Sequence, residues 1–246
     1  MDKPFPLITA HSGCMNKQDH TLESIETGIE LGADVIEEDI RATKNRIPVL
    51  AHNDEFITAD GSESLISQMT LAELRRIKPI LTLEEMLLVI RDAGKTANLD
   101  LKDDESIEPV AALVKQYNLY EQVYLSGCGT DRAMKVQQAH PELRKLLNAN
   151  AELFLQSAYS EAIEQTCRDA VAARCFGINI DYKLVRRELL DKAASLKLPV
   201  YVWTINEEDE MKRFLDLGVA SITARNVQAL VNLKAKATKA LDGNLR

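Results

Sequence analysis

The feature that most constrains this chain is a rhythm. Short apolar runs centre near residues 8, 36, 98, 124, 146, 179, 202 and 222, and each is followed by a stretch with apolar residues at helical spacing. Strands that alternate with helices in this way pair in parallel, through crossover connections. Eight such units in 246 residues predict a closed (β/α)8 barrel, an α/β fold, over an open doubly wound sheet. No GxGxxG or GxxxxGK(S/T) follows the first run, which argues against a dinucleotide or P-loop fold. The barrel is expected to form one domain over residues 1–246, with an insertion after the second strand at about 53–69.

Local signals place the elements. Thr21 is a candidate N-cap for a helix that ends at Leu31-Gly32, and Thr70 opens a short helix to about Ile77. Thr82 with Glu85 reads as a capping box before Leu83, Met86, Leu87, Val89 and Ile90. Further helices are predicted over 107–117, 130–140, 160–173, 185–196, 207–217 and 227–241. Residues 47–51 form an extended apolar piece that ends in His52. From Asn53 to Gln68 the chain is polar, with Asp60-Gly61 as a turn signal, and no strand or helix period predicts anything but an irregular excursion. Lys234, Lys236 and Lys239 give the last helix a solvated basic face rather than a membrane-seeking one.

Bulk properties exclude several partners. A net charge of −8 without a basic block argues against nucleic acid and against simple adsorption to anionic lipid. The four cysteines are scattered and form no CxxC pair, so they read as reduced thiols. Met1-Asp2-Lys3-Pro4-Phe5-Pro6 has no apolar signal core, and no run of eighteen apolar residues occurs. These points lead to the expectation of a soluble, cytoplasmic chain without stable membrane insertion, of open oligomeric state.

In parallel barrels the active site lies at the C-terminal strand ends. Here those ends are polar. The first run ends in His11, and the extended piece after the second ends in His52. The second run carries Glu37, Glu38 and Asp39, and the third carries Asn98, Asp100 and Lys102. Ser126, Asn148, Asn179 with Asp181, and Trp203 with Asn206 end the next four. Residues two apart on a strand share a face and lie about 6–7 Å apart, so Glu37 and Asp39 point the same way. Converging carboxylates repel unless a cation sits between them, and oxygen ligands suit a hard divalent ion, Mg²⁺ or Ca²⁺. Glu38 is sent toward the helix layer, where a carboxylate needs the wet end of the strand or a basic partner. His20 takes no role from the pattern, and His140 reads as structural.

Any one of these residues has a dull explanation; a lone strand-end histidine is ordinarily a satisfied surface or core residue. Their coincidence around one mouth suggests metal-assisted phosphoryl transfer with two imidazoles. Glu37, Asp39 and Asp100 would hold the ion, and Lys102 would help neutralise charge developing on phosphorus. His11 and His52 would exchange protons with the attacking and leaving oxygens, a task that suits imidazole because its ordinary pKa of about 6.5 lies near working pH.

Ala10-His11-Ser12-Gly13, Gly32 to Lys44 and Val49-Leu50-Ala51-His52 together resemble the glycerophosphodiester phosphodiesterases. Leu81 to Glu85, Asn98 to Lys102, Val202 to Asn206 and Gly218 to Thr223 continue the resemblance, in order, over nearly the whole chain. The resemblance implies a TIM barrel of the phospholipase C-like phosphodiesterase type with a small insertion. It implies cleavage of a small phosphodiester substrate, a glycerophosphodiester, to an alcohol and glycerol 3-phosphate. It also implies a divalent metal on Glu37, Asp39 and Asp100, His11 and His52 as the acid/base pair, and Lys102 near the phosphate. Ser12 and Trp203 stand on the substrate side.

The chain departs from the family pattern. Ser12 replaces an arginine that contacts phosphate, and a serine offers one hydrogen bond but no charge. Asp100 replaces a glutamate, Asn53 an aspartate, and Gln18-Asp19-His20-Thr21 the usual Pro-Glu-Asn-Thr; Thr223-Ala224 replaces Thr-Asp. Two alternatives follow: a lyase forming a cyclic phosphate, like the related phospholipase D toxins, or a catalytically weak relative that binds a phosphorylated ligand.

Overall fold

The computed structural model describes residues 4–244, so the first three and last two residues of the expected single domain lie outside the described residues. The strands are β1 (Leu7–Ala10), β2 (Val35–Ala42), β3 (Pro48–Leu50), β4 (Glu55–Ile57), β5 (Glu63–Leu65), β6 (Thr96–Leu101), β7 (Val123–Ser126), β8 (Leu146–Asn148), β9 (Gly177–Asp181), β10 (Val200–Trp203) and β11 (Ser221–Ala224). The helices are α1 (Leu22–Glu30), α2 (Leu71–Ile77), α3 (Leu83–Asp92), α4 (Ile107–Gln116), α5 (Thr130–Ala139), α6 (Ala151–Gln156), α7 (Tyr159–Ala172), α8 (Arg187–Ser195), α9 (Glu208–Leu217) and α10 (Val227–Asn244).

Eight strands pair in parallel in the order β7-β6-β2-β1-β11-β10-β9-β8. A parallel bridge between Leu125 and Lys145 joins the two ends of that order, so the sheet is a nearly closed (β/α)8 barrel. Strand alternation sorts the side chains. Ile8, Ala10, Ile36, Ile40, Leu99, Leu101, Val202 and Ile222 face the helices and form the main core. Val35, Tyr124, Leu146 and Tyr201 face the barrel axis with Phe176. Tyr124, Phe176 and Tyr201 meet edge to face, with ring centroids 5.5 to 5.9 Å apart, and plug the N-terminal end. The axis is thus apolar below and polar at the mouth.

The expected caps form. Thr21 accepts from the Ser24 amide, and Thr70–Glu73 and Thr82–Glu85 are both reciprocal capping boxes. β3 runs antiparallel to β2, pairing Ile40 with Leu50, and the Ala51 amide donates to the Asp39 carbonyl at 3.0 Å. This return delivers His52 to the mouth.

One local expectation needs correction. Residues 53–68 are not irregular: β4 and β5 form an antiparallel hairpin. Its turn is held by Asp60, which accepts from the Ser62 amide at 3.1 Å, and Phe56 packs toward Val49, Ala51, Ile66 and Leu74. Three-residue strands are too short to show a period of two. The helix α6 was also unforeseen, although Asn150 caps it through the Glu152 and Leu153 amides. The four cysteines are free and buried. Among the described residues no helix is long and apolar enough to cross a membrane.

Candidate active site

Strand register assembles the carboxylates. In the β2–β6 pair, Glu37 lies beside Asn98 and Asp39 beside Asp100. Adjacent strands are about 4.8 Å apart, so Asp100 joins the Glu37/Asp39 face from the side. One oxygen from each of Glu37, Asp39 and Asp100 lies within 4.8 Å of the others. His11, His52, Asn98, Lys102, Ser126, Gly127, Asn148, Asn179, Trp203 and Thr223 line the same cavity of about 380 Å³. His52 also borders a second cleft, of about 610 Å³, between the Gln18–Leu22 loop and the β4–β5 hairpin.

Burial makes the cluster electrostatically costly. Glu37 is held well above the ordinary carboxylate range, first by burial and then by the charges of Asp39 and Asp100. Asp100 is raised by burial, against the pull of Lys102. The Lys102 ammonium lies 2.8 Å from Asp39 Oδ1 and 3.0 Å from Asp100 Oδ2. Burial works against its charge, but Asp100 and Asp39 more than compensate and raise its pKa. The second oxygen of Asp100, Oδ1, is buried without a hydrogen-bond partner. An all-oxygen donor set with an unsatisfied buried oxygen fits a hard divalent cation.

Each histidine is oriented through Nδ1. His11 Nδ1 lies 2.8 Å from the Ser12 carbonyl, which requires the proton on Nδ1 and leaves Nε2 as the acceptor. Burial, chiefly, lowers the His11 pKa, with a smaller contribution from the charge of Arg225. His52 Nδ1 lies 2.7 Å from Asn53 Oδ1, and the His52 carbonyl accepts from Arg41 Nε at 2.9 Å. His52 is exposed at the rim.

Not every expected residue reaches the mouth. Trp203 does, at the end of β10. The Ser12 hydroxyl does not: it is buried beside His20, 3.2 Å from Nδ1, and accepts from the His20 amide at 2.9 Å. Asp181 caps the turn after β9 through the Lys183 amide, and Asn206 accepts from the Arg225 amide. Glu38 faces away from the cavity and is fully buried; its partner is His20, whose Nδ1 is 2.8 Å from Glu38 Oε2. The basic partner that Glu38 required is thus His20, which no sequence pattern marked.

Gly127 is another residue that sequence reasoning missed. Its backbone is left-handed (φ +69°), and a Cβ there would lie 2.1 Å from Asp100 Oδ1 and 2.3 Å from the Leu101 carbonyl. Glycine allows the loop after β7 to press against the carboxylate. Arg132 braces this loop, donating to the carbonyls of Leu101 and Gly127 and to Asp104.

Residues 9–228 match the profile of the "Glycerophosphoryl diester phosphodiesterase family". A "Glycerophosphodiester phosphodiesterase" of Caldanaerobacter subterraneus is 23% identical over 94% of this chain and 98% of its own length. The glycerophosphodiester phosphodiesterase of Thermotoga maritima superposes with a TM-score of 0.77 at 20% identity, over 94% of this chain and 99% of that one. An Oleispira antarctica phosphodiesterase, solved with the product sn-glycerol-3-phosphate, superposes with a TM-score of 0.75 at 23% identity, over 92% and 95% of the two chains.

Proposed function

This chain belongs to the glycerophosphoryl diester phosphodiesterase family, and on that premise we propose that it hydrolyses small glycerophosphodiester-like substrates to an alcohol and glycerol 3-phosphate, with a divalent metal and two histidines. The observation that carries this reading is the convergence of Glu37, Asp39 and Asp100 within 4.8 Å, in one cavity with His11 and His52. Glycerol 3-phosphate bound to the Oleispira relative supports the choice of product.

Glu37, Asp39 and Asp100 would hold Mg²⁺ or Ca²⁺. Bound there, the ion supplies Lewis-acid polarisation of the phosphate and charge neutralisation. His11 is the base. Its Nδ1–H is committed to the Ser12 carbonyl, and its lowered pKa keeps Nε2 free to take the proton of the attacking water. His52 is the acid and gives its proton to the departing alkoxide at the rim. Asn53 Oδ1 fixes the ring through Nδ1 without adding negative charge. Lys102, gripped by Asp39 and Asp100, offers an ammonium to the phosphate oxygens. Trp203 walls the substrate side of the cavity, and the cleft beyond His52 gives the leaving alcohol room.

Phosphorus NMR of a diester panel incubated with Mg²⁺, Ca²⁺ or EDTA tests the proposal. The expected product is a phosphate monoester, formed only with metal. A cyclic phosphate would mean attack by an internal hydroxyl instead of water. Failure to cleave any diester with either metal would leave only a binding role.

A further inference from the structure

Glu38 and His20 take no part in the chemistry above, yet they form the most deeply buried charge pair beside it. Glu38 is 0% exposed. A carboxylate so placed is costly unless paired, and a leucine would suit a helix-facing strand position better. The arrangement around it is specific. β1 pairs with β2 only at Thr9–Val35 and Ala10–Ile36, and β3 takes up the same edge only from Ile40, so Glu37 and Glu38 have no strand beside them on that side. The Ser12–His20 loop covers this edge. Its Ser12 amide reaches Glu37 Oε2 at 3.4 Å. His20, in a left-handed backbone conformation (φ 61°), is tied by its amide to Ser12 Oγ.

The imidazole lies between two carboxylates of opposite strand faces. Nδ1 is 2.8 Å from Glu38 Oε2, and Nε2 is 3.6 Å from Asp39 Oδ2. The other oxygen of Asp39, Oδ1, is the one that faces Lys102 inside the mouth. Asp39 is therefore backed, at ion-pair distance, by a ring hydrogen-bonded to a buried glutamate, and the ring's loop also fixes Ser12.

We propose that His20 is a positioning residue: anchored by Glu38, it aims Asp39 Oδ1 into the metal cluster through its own contact with Oδ2. The proposal rests on the reading of Asp39 as a metal ligand. Outer-sphere partners of this kind change metal affinity or activity by about 10–100-fold when removed. Ser12, in this arrangement, serves the loop and not the substrate.

Two measurements on the full chain decide it. The first is Mn²⁺ binding followed by electron paramagnetic resonance, which needs no turnover. Glu38→Leu, which places an apolar side chain on an apolar face and should fold, is expected to weaken Mn²⁺ binding at least about 10-fold. Glu38→Gln retains an acceptor for Nδ1–H and should restore most of that loss. His20→Asn, which tolerates the left-handed backbone, should match Glu38→Leu, and the double variant should lose no more than either single one. Mn²⁺ affinity unchanged in Glu38→Leu overturns the proposal.

The second measurement is nitrogen NMR of ¹⁵N-histidine-labelled protein without metal. Asp39→Asn is expected to move the His20 Nε2 resonance, and Glu38→Leu the Nδ1 resonance. A His20 ring insensitive to Asp39→Asn refutes the positioning contact whatever the metal result. If the wild-type chain binds no Mn²⁺, the metal reading falls, and the NMR result alone decides whether His20 holds Asp39.

Discussion

Gly127→Ala is the most informative single substitution outside the charged residues. A Cβ there would lie 2.1 Å from Asp100 Oδ1, 2.3 Å from the Leu101 carbonyl oxygen and 2.8 Å from the Leu101 amide nitrogen. Two of these three atoms are backbone of β6, which is paired on both sides and cannot give way cheaply. The left-handed conformation costs an alanine about 1–2 kcal/mol, and overpacking adds about 1–3 kcal/mol. A loss of roughly 2–5 kcal/mol follows, which for a chain of this size lowers Tm by roughly 4–20 °C. Displacement of Asp100 should also weaken divalent-metal binding. Gly129→Ala is the matched control, because Gly129 has an ordinary extended backbone (φ −63°, ψ 174°) and nothing within 4 Å of its would-be Cβ. It should stay within about 1 kcal/mol of wild type. Calorimetry and Mn²⁺ titration of both variants provide the check. A Gly127→Ala protein as stable and as metal-competent as the control would refute the claim that this loop is pressed against the site.

Glu37→Gln, Asp39→Asn and His52→Ala should each abolish turnover while circular dichroism shows an intact barrel; activity in any of them at wild-type level removes that residue from the proposed mechanism. Lys102→Met leaves Asp39 and Asp100 without their ammonium partner, so saturating Mg²⁺ should raise its Tm more than it raises that of wild type, as differential scanning fluorimetry would show. Asp104 is held below the ordinary carboxylate range by hydrogen bonds from Lys135 and Arg132. Its folded pKa lies below its unfolded one, so its stabilising contribution is complete above about pH 4 and is lost as pH falls through the lowered value. The effect is small because solvent screens the half-exposed pair. Asp104→Asn should flatten the acid limb of a urea-midpoint against pH plot.

Much of this was legible in the sequence, for physical reasons. Parallel strands are buried on both faces, so their apolar runs stand out, and all eight were foreseen at the residues where β1, β2 and β6 to β11 lie. Alternation on β2 foresaw that Glu37 and Asp39 share a face while Glu38 turns away. What escaped depends on contacts distant in sequence or on elements too short to show a period. The β4–β5 hairpin has three residues per strand, and α6 has six. His20 sits 18 residues from Glu38, and only the chemical need of Glu38 for a partner hinted at it. Gly127 carries no sequence signal of its own; its role depends on Asp100, 27 residues earlier on the neighbouring strand β6. Ser12 looked like a phosphate contact because it follows His11, but its hydroxyl turns to His20.

The central claim is that hydrolysis depends on a divalent ion held by Glu37, Asp39 and Asp100. Its most direct test is release of glycerol 3-phosphate from a glycerophosphodiester as free Mg²⁺ is titrated, starting from chelated protein. Saturable activation from zero, reversed by EDTA and restored by added metal, is the predicted result. Full turnover in excess EDTA would contradict it.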